Sequence, residues 1–177
     1  MAKGSGTLRV LFLSSVVLFL LSGCATRNEP SNLARETATG TATPLIRASA
    51  EGNLEEVMAL AEAGHSLNTL TEQGSPLMVA VRAGRDRIVW YLLSEGADPD
   101  LAAPGESTPL MVAAGDGSRR LVQLLLSAGA RVNSADGHGY TPVIRAAEQG
   151  NLSVVKLLLA AGANVNVSQG GETADEN

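Results

Sequence analysis

The chain has 177 residues, of which 45% are hydrophobic and 3% aromatic, with 13 basic and 18 acidic residues. A net charge of −5 disfavours nucleic acid as a partner, because phosphates attract basic proteins, and few aromatic side chains are present to stack on bases. The single cysteine, Cys24, excludes an internal disulfide and a His/Cys zinc set, so we expect no metal and no cofactor.

Residues 1–23 have the features of an export signal. Lys3 and Arg9 provide a positive start, and Val10–Leu21 is an apolar run interrupted only by two serines. The run is short for a transmembrane helix, which needs roughly 20 apolar residues, and suits the core of a signal peptide.

The tetrad Leu21-Ser22-Gly23-Cys24 resembles the lipobox of bacterial lipoproteins. The resemblance implies cleavage before Cys24, lipidation of its thiol, and membrane anchoring through more than one acyl chain. Ala25, where an aspartate would favour the inner membrane, implies an outer-membrane lipoprotein facing the periplasm. The alternatives are a soluble precursor with a chance cysteine and an uncleaved anchor.

Polar segments flank the rest of the chain. Residues 24–42 comprise the lipidated cysteine and a threonine-rich stretch that predicts a flexible tether with a reach of about 20–25 Å. Residues 168–177 predict a disordered acidic tail. Loss of Lys3 and Arg9 with the signal leaves 11 basic against 18 acidic residues, a net charge of −7.

Residues 43–167 contain four copies of one pattern. The copies are repeat 1 (Thr43–Asn68), repeat 2 (Ser75–Asp100), repeat 3 (Thr108–Asn133) and repeat 4 (Thr141–Asn166). A proline follows the first residue of each copy, and a glycine 20 positions after this first proline recurs with the same steps of 32, 33 and 33 residues. A proline and a glycine that recur independently with the same period indicate a repeat array.

Repeat 4 illustrates the predicted unit. Thr141 is placed to cap a helix with its hydroxyl, and Pro142 occupies the first helical position, where a missing N–H costs nothing. The helix is predicted to reach Gln149 and to stop at Gly150. A second, broadly apolar helix follows over Leu152–Ala160. Such a unit buries its apolar faces only against neighbouring units.

The T-P-L start, the G-A-[DN]-x-[DN] finish and the period near 33 resemble the ankyrin-repeat family. The resemblance implies an all-α solenoid of about four helix-turn-helix repeats joined by hairpin-like loops. A tetratricopeptide array, the nearest rival, lacks both the cap and the turn. The histidine that often follows T-P-L in the family is replaced by Ile46, Met78, Met111 and Ile144, so the loops must be held together differently.

The sequence contains few candidate catalytic residues and no catalytic motif. His65 and His138 both fall in predicted loops, and the chain carries neither a G-x-S-x-G elbow nor a phosphate-binding loop. We therefore expect no enzymatic activity and no small-molecule substrate, with an enzyme as a distant alternative.

The resemblance implies that first helices and loop tips line a concave, protein-binding face. The predicted contact residues on this face are Arg47, Arg82, Asp116, Arg145, Glu148, His138 and Tyr140. Trp90 is expected on the outer side of a second helix, and an exposed apolar strip is expected at the C-terminal end of the array.

These features together predict a membrane-anchored interaction module in the periplasm. One role is a scaffold that supports a periplasmic enzyme, as in stress defence. The alternative role is an immunity protein that neutralises a toxin acting in the periplasm.

Overall fold

The computed structural model describes residues 43–165. The predicted signal peptide (1–23), the lipidation site Cys24, the tether (24–42) and the acidic tail (168–177) lie outside the described residues.

Eight helices make up the described part of the chain. They are α1 (Pro44–Glu51), α2 (Leu54–Glu62), α3 (Pro76–Arg82), α4 (Asp86–Ser94), α5 (Pro109–Gly115), α6 (Arg119–Ser127), α7 (Pro142–Glu148) and α8 (Leu152–Ala160). Over residues 43–165 the only other regular pairing is an isolated antiparallel bridge between Thr71 and Gly74. The predicted all-α array of helix pairs is confirmed.

The first helix of each repeat begins at its proline, after an extended cap residue. The cap hydroxyl of Thr43, Ser75 and Thr108 accepts a bond from the backbone N–H three residues on, at 3.3, 3.1 and 3.4 Å. Thr141 occupies the same position, but its buried hydroxyl has no hydrogen-bond partner. The predicted helix start is therefore correct at Thr141, whereas the predicted capping bond is wrong there.

The helix ends also follow the glycine pattern. Helix α7 ends at Glu148, one residue before the predicted end, and Gly150 adopts the left-handed φ of 69° that closes the turn. Helix α8 spans Leu152–Ala160 as predicted. A residue with a Cβ would be strained at Gly150, which explains why glycine recurs there in every repeat.

The core runs through the stack of helix pairs. A leucine at one position of the second helix is fully buried in repeats 2, 3 and 4, at Leu92, Leu125 and Leu158. Small alanines on the first helices, such as Ala80 and Ala113, are also fully buried, which allows neighbouring helices to approach closely.

Polar side chains link each repeat to the next. The N–H of Asp98 donates to Asn68 Oδ1 at 2.9 Å, and the N–H of Asn164 donates to Asn133 Oδ1 at 2.7 Å. Between repeats 2 and 3 the acceptor is the Asp100 carboxylate, 3.1 Å from the N–H of Arg131. The donor residues Asp98, Arg131 and Asn164 recur every 33 residues, so this ladder has the period of the array.

Within residues 43–165, no helix has both the length and the apolar character that crossing a bilayer requires.

Candidate partner-binding surface

A groove lies between α5 and α7, on the face of the array formed by first helices and loops. Its volume is about 470 Å³, and it is lined by Ser107, Met111, Val112, Gly115, Asp116, Arg145 and Gln149. Asp116 and Gln149 are exposed at equivalent positions at the ends of the two helices. The groove therefore offers an acidic and an amide side chain above an apolar floor.

The loop that leads into repeat 4, here called finger 3 (residues 134–140), is built around Asp136. The carboxylate of Asp136 is 2% exposed, and its Oδ1 accepts the backbone N–H groups of His138 and Tyr140, each at 3.0 Å. Its Oδ2 accepts the Arg145 guanidinium at 3.0 Å and the Ser107 hydroxyl at 3.5 Å. One buried acid thus fixes the finger, the helix that follows it and the preceding loop.

Two effects oppose each other on the pKa of Asp136. Burial raises the pKa of the carboxyl, whereas the N–H of Tyr140, the guanidinium of Arg145 and the N–H of His138 lower it by bonding the charged form. The bonds prevail, and the pKa lies below its ordinary value. The finger is therefore held by a carboxylate that stays ionised in mildly acidic solution.

Arg145 connects the finger to the groove. Its guanidinium carbon lies 4.0 Å from the centre of the Tyr140 ring, a cation–π arrangement, while its Nη2 pairs with Asp136. The side chain is 33% exposed and also lines the groove. Arg145 therefore acts first as a clamp on finger 3, and it presents only its outer edge to a partner.

Finger 3 also rests on the preceding loop, finger 2 (residues 101–107). The N–H of Gly137 donates to the carbonyl of Gly105 at 2.9 Å. A Cβ at Gly137 would lie 3.2 Å from that carbonyl oxygen, so glycine permits the close approach. This contact and the Ser107–Asp136 bond join the two loops in place of the histidine expected after T-P-L.

The structure brings some of the predicted contact residues together and separates others. Asp116 and Arg145 line one groove, and Tyr140 and His138 belong to the finger beside it, with His138 exposed. Glu148 is exposed at the last position of α7.

The two remaining predicted residues lie in the first half of the array. Arg82 donates to the carbonyl of Gln73 at 3.0 Å and lines a smaller groove of about 200 Å³ beside finger 2. Arg47 is exposed and lies 3.6 Å from Glu56 of the second helix in its own repeat. Both side chains are therefore separate from the groove between α5 and α7.

Sequence reasoning missed Asp136, the residue that organises the site. Its signal was the Asp136-Gly137 dipeptide, because aspartate before glycine favours a turn in which the carboxylate bonds nearby N–H groups. The burial of that carboxylate depends on Ser107 and Arg145, which come from other elements.

Trp90 lies on the outer side of α4, as predicted, and is 59% exposed. It borders a shallow depression between α4 and α6 that includes Leu93 and Leu124. The depression is predominantly apolar, and no charged side chain lines it.

The groove and finger 3 together form a polar and partly charged surface. Within residues 43–165, no group of three or more His, Cys, Asp or Glu side chains is arranged to hold a metal ion. The groove offers carboxylate, amide, guanidinium and apolar surface held by a rigid finger, which is a combination suited to a protein surface.

Comparison with known proteins agrees with this architecture. Two stretches of the chain, residues 12–103 and 100–169, match the family described as ankyrin repeats in three copies. The chain matches no curated protein. Ankyrin arrays are in general interaction modules for other proteins, and because the matched stretches cover most of its length, the chain belongs to the ankyrin-repeat family.

Proposed function

We propose that this protein is a non-catalytic interaction module, anchored in the outer membrane through lipidated Cys24, that supports an enzyme in the periplasm. The partner binds the groove between α5 and α7 together with finger 3. The observation that carries the proposal is the buried Asp136, which fixes finger 3 beside the exposed Asp116 and Gln149.

The rigidity of this surface supports binding over a purely structural role. Asp136 receives four hydrogen bonds from three separate segments, and Arg145 is held on both sides, by Tyr140 and by Asp136. A surface that is ordered before binding loses less side-chain entropy when a partner docks.

The anchor rests on the sequence before the array. A positive start, an apolar run and the only cysteine of the chain occur in the order of a lipoprotein signal. A Cys24→Ser variant tests this part: we expect it to lose incorporation of labelled fatty acid and to leave the membrane fraction. A variant that stays in the membrane fraction without label would show an uncleaved anchor.

Capture of the partner tests the groove. Residues 25–177, which contain every residue of the described core, would be immobilised and exposed to a periplasmic extract, and bound proteins quantified. We expect Asp116→Ala with His138→Ala to reduce capture of the specific partner by about tenfold, as the loss of interface hot spots does. Both side chains are exposed, so their loss leaves the fold intact.

A matched control uses the outer face. Gln123 and Lys156 are exposed on α6 and α8, and alanine at both positions changes as many polar side chains far from the groove. Capture that falls equally in both double variants would remove the groove as the binding site.

The immunity role is distinguished by the identity of the captured protein. The exposed carboxylates of Glu72, Glu106 and Asp116, along the loops and first helices, favour a basic partner such as a cationic toxin. Protection of cells against a periplasm-acting toxin, lost in the same double variant, would establish that role in place of the scaffold.

A further inference from the structure

The second helices of repeats 2, 3 and 4 share an exposed surface that is basic. This surface, here called the outer face, consists of the exposed side chains of α4, α6 and α8, and its cations are Arg87, Arg119, Arg120 and Lys156. The one acidic residue within these three helices, Asp86, is half-buried, and its Oδ2 lies 3.0 Å from Arg120 Nε. Among residues 43–165, no carboxylate lies within ion-pair distance of the other three cations. The outer face is therefore positive, although the chain as a whole is acidic.

Large apolar side chains are exposed among these cations. Trp90 is 59% exposed and follows Arg87 by three residues, so both lie on the same side of α4. Leu152, the first residue of α8, is 71% exposed. Tryptophan and leucine beside arginine and lysine are typical of protein surfaces that lie on lipid headgroups, because the indole ring is stable between water and hydrocarbon and the cations attract lipid phosphates.

The first-helix side of the array, which carries the groove, has a different charge pattern. Its loops and helices expose four carboxylates, those of Glu72, Glu106, Asp116 and Glu148. Charges are screened beyond about 8 Å at physiological ionic strength, so each side of the array acts mainly on what lies next to it. An anionic surface is therefore attracted to the outer face more strongly than to the first-helix side.

We propose that the outer face binds an anionic phospholipid surface, with its cations at the headgroup phosphates and Trp90 at the level of the headgroups. The depression beside Trp90 has a volume of about 280 Å³ and is lined by no charged side chain. This favours lipid over an acidic segment of a protein, because carboxylates gain nothing from an apolar depression or from an exposed indole ring.

This inference goes beyond the proposed function and does not depend on a lipid at Cys24, because it rests on the charge and exposure of described residues. Its consequence is an orientation. With the outer face on the bilayer, the groove between α5 and α7 points away from the lipid and stays open to a protein partner.

Trp90 is the only tryptophan of the chain, so tryptophan fluorescence reports from the outer face alone. Residues 25–177, which lack the lipidation site, would be mixed with vesicles of equal parts phosphatidylcholine and phosphatidylglycerol, and separately with vesicles of phosphatidylcholine. We expect co-sedimentation with the anionic vesicles only, together with a shift of Trp90 emission to shorter wavelength as the ring leaves water. We also expect binding to weaken as sodium chloride is added, because salt screens the attraction.

A triple variant tests the cations without breaking an ion pair. Arg87→Ala with Arg119→Ala and Lys156→Ala leaves the Arg120–Asp86 pair in place. We expect this variant to bind anionic vesicles at least about tenfold more weakly, since each substitution removes one attraction to the headgroups.

The matched control removes three basic side chains elsewhere. Arg47→Ala with Arg82→Ala and Arg131→Ala changes the net charge by the same amount, at exposed positions outside α4, α6 and α8. We expect this variant to bind the anionic vesicles as the wild type does. Circular dichroism checks that both triple variants are folded.

The proposal is overturned if residues 25–177 do not bind anionic vesicles, bind phosphatidylcholine equally well, or bind without a change in Trp90 emission. Equal weakening of the two triple variants would also contradict it, because net charge rather than the outer face would then govern binding. A shift of Trp90 emission with oligoglutamate, without binding to vesicles, would identify an acidic protein segment as the occupant. None of these results bears on the groove, because Asp116 and His138 are unchanged in both variants.

Discussion

Repeat 1 and repeat 4 differ in the polarity of their side chains. In repeat 1, Glu56 pairs with Arg47 and accepts a bond from Asn53, which forms a small polar cluster. At the end, repeat 4 exposes apolar side chains, among them Leu152 and Leu159 at 71% and 43%.

The loop after repeat 1 and finger 3 also differ, in the bonds that hold them. The loop after repeat 1 is closed by the Thr71–Gly74 bridge and by the Thr71 hydroxyl, which donates to the carbonyl of Gly74 at 3.0 Å. Arg82 of α3 adds one bond to the carbonyl of Gln73, and no buried carboxylate takes part. Finger 3 instead depends on a buried carboxylate shared with α7 and finger 2. The comparison teaches that one repeating fold can hold its loops in different ways from repeat to repeat, because each repeat needs only its neighbours for stability.

The largest change in the free energy of unfolding is expected when the same substitution, alanine to glutamate, is compared inside the stack and in repeat 4. Ala114 and Ala147 occupy equivalent positions, the first fully buried and the second exposed. Ala114→Glu buries a charge and should destabilise the array by about 3 kcal/mol or more, whereas Ala147→Glu should change stability by less than about 0.5 kcal/mol. Urea unfolding at low protein concentration measures both, and equal losses would show that repeat 4 is covered.

A second prediction separates finger 3 from the loop after repeat 1. Asp136→Asn keeps the shape but removes the charge, and should cost about 1.5–3 kcal/mol, the range for hydrogen bonds to charged groups. Thr71→Val removes a hydroxyl that donates to the carbonyl of Gly74 and accepts the N–H of Gln73, both in an exposed loop, and should cost about 1 kcal/mol or less. Similar losses in thermal unfolding would remove the contrast between the loops.

The same residue predicts a pH dependence. Because the folded pKa of Asp136 is depressed, its stabilisation is complete above the unfolded value of about 3.9 and is lost as pH falls through the folded pKa. The stability difference between wild type and Asp136→Asn should therefore shrink below about pH 4. A difference that stays constant down to pH 2 would contradict the role given to the ionised carboxylate.

A smaller change in stability tests the helix N-caps Thr108 and Thr141. Thr108 accepts the N–H of Met111, whereas the buried hydroxyl of Thr141 bonds nothing. Thr108→Val should cost about 1 kcal/mol, and Thr141→Val should be neutral or slightly stabilising, because it removes an unsatisfied polar atom. Chemical denaturation compares the two, and an equal cost would show that Thr141 also caps its helix.

The smallest change in the free energy of unfolding is expected in repeat 1. The Arg47–Glu56 pair is 3.6 Å long, with side chains 61% and 35% exposed, so solvent screens most of its attraction. Glu56→Ala should change the unfolding free energy by less than about 1 kcal/mol. A larger loss, measured by the same unfolding assay, would mean that the polar start is part of the core.

Much of the fold could be predicted from sequence because its signals are local and repeated. Prolines and glycines fix where helices begin and end, and the bounds of α8 follow directly from them. The missing cap at Thr141 could not be predicted, because the same Thr-Pro pair caps successfully in repeats 1 and 3.

The candidate site was less accessible to sequence reasoning. Periodicity places Asp116 on the first-helix face, but it does not show that Arg145 is held by Asp136 and Tyr140. That arrangement depends on contacts between three segments, and each segment taken alone has an ordinary loop or helix sequence.

Site-specific photo-crosslinking in living cells tests the central claim most directly. A benzophenone amino acid placed at Asp116 or Gln149 should trap a partner protein, whereas the same group at Trp90 or Gln123 on the outer helices should not. Adducts that form only from the outer positions, or from none of the four, would contradict the assignment of the groove between α5 and α7 as the binding surface.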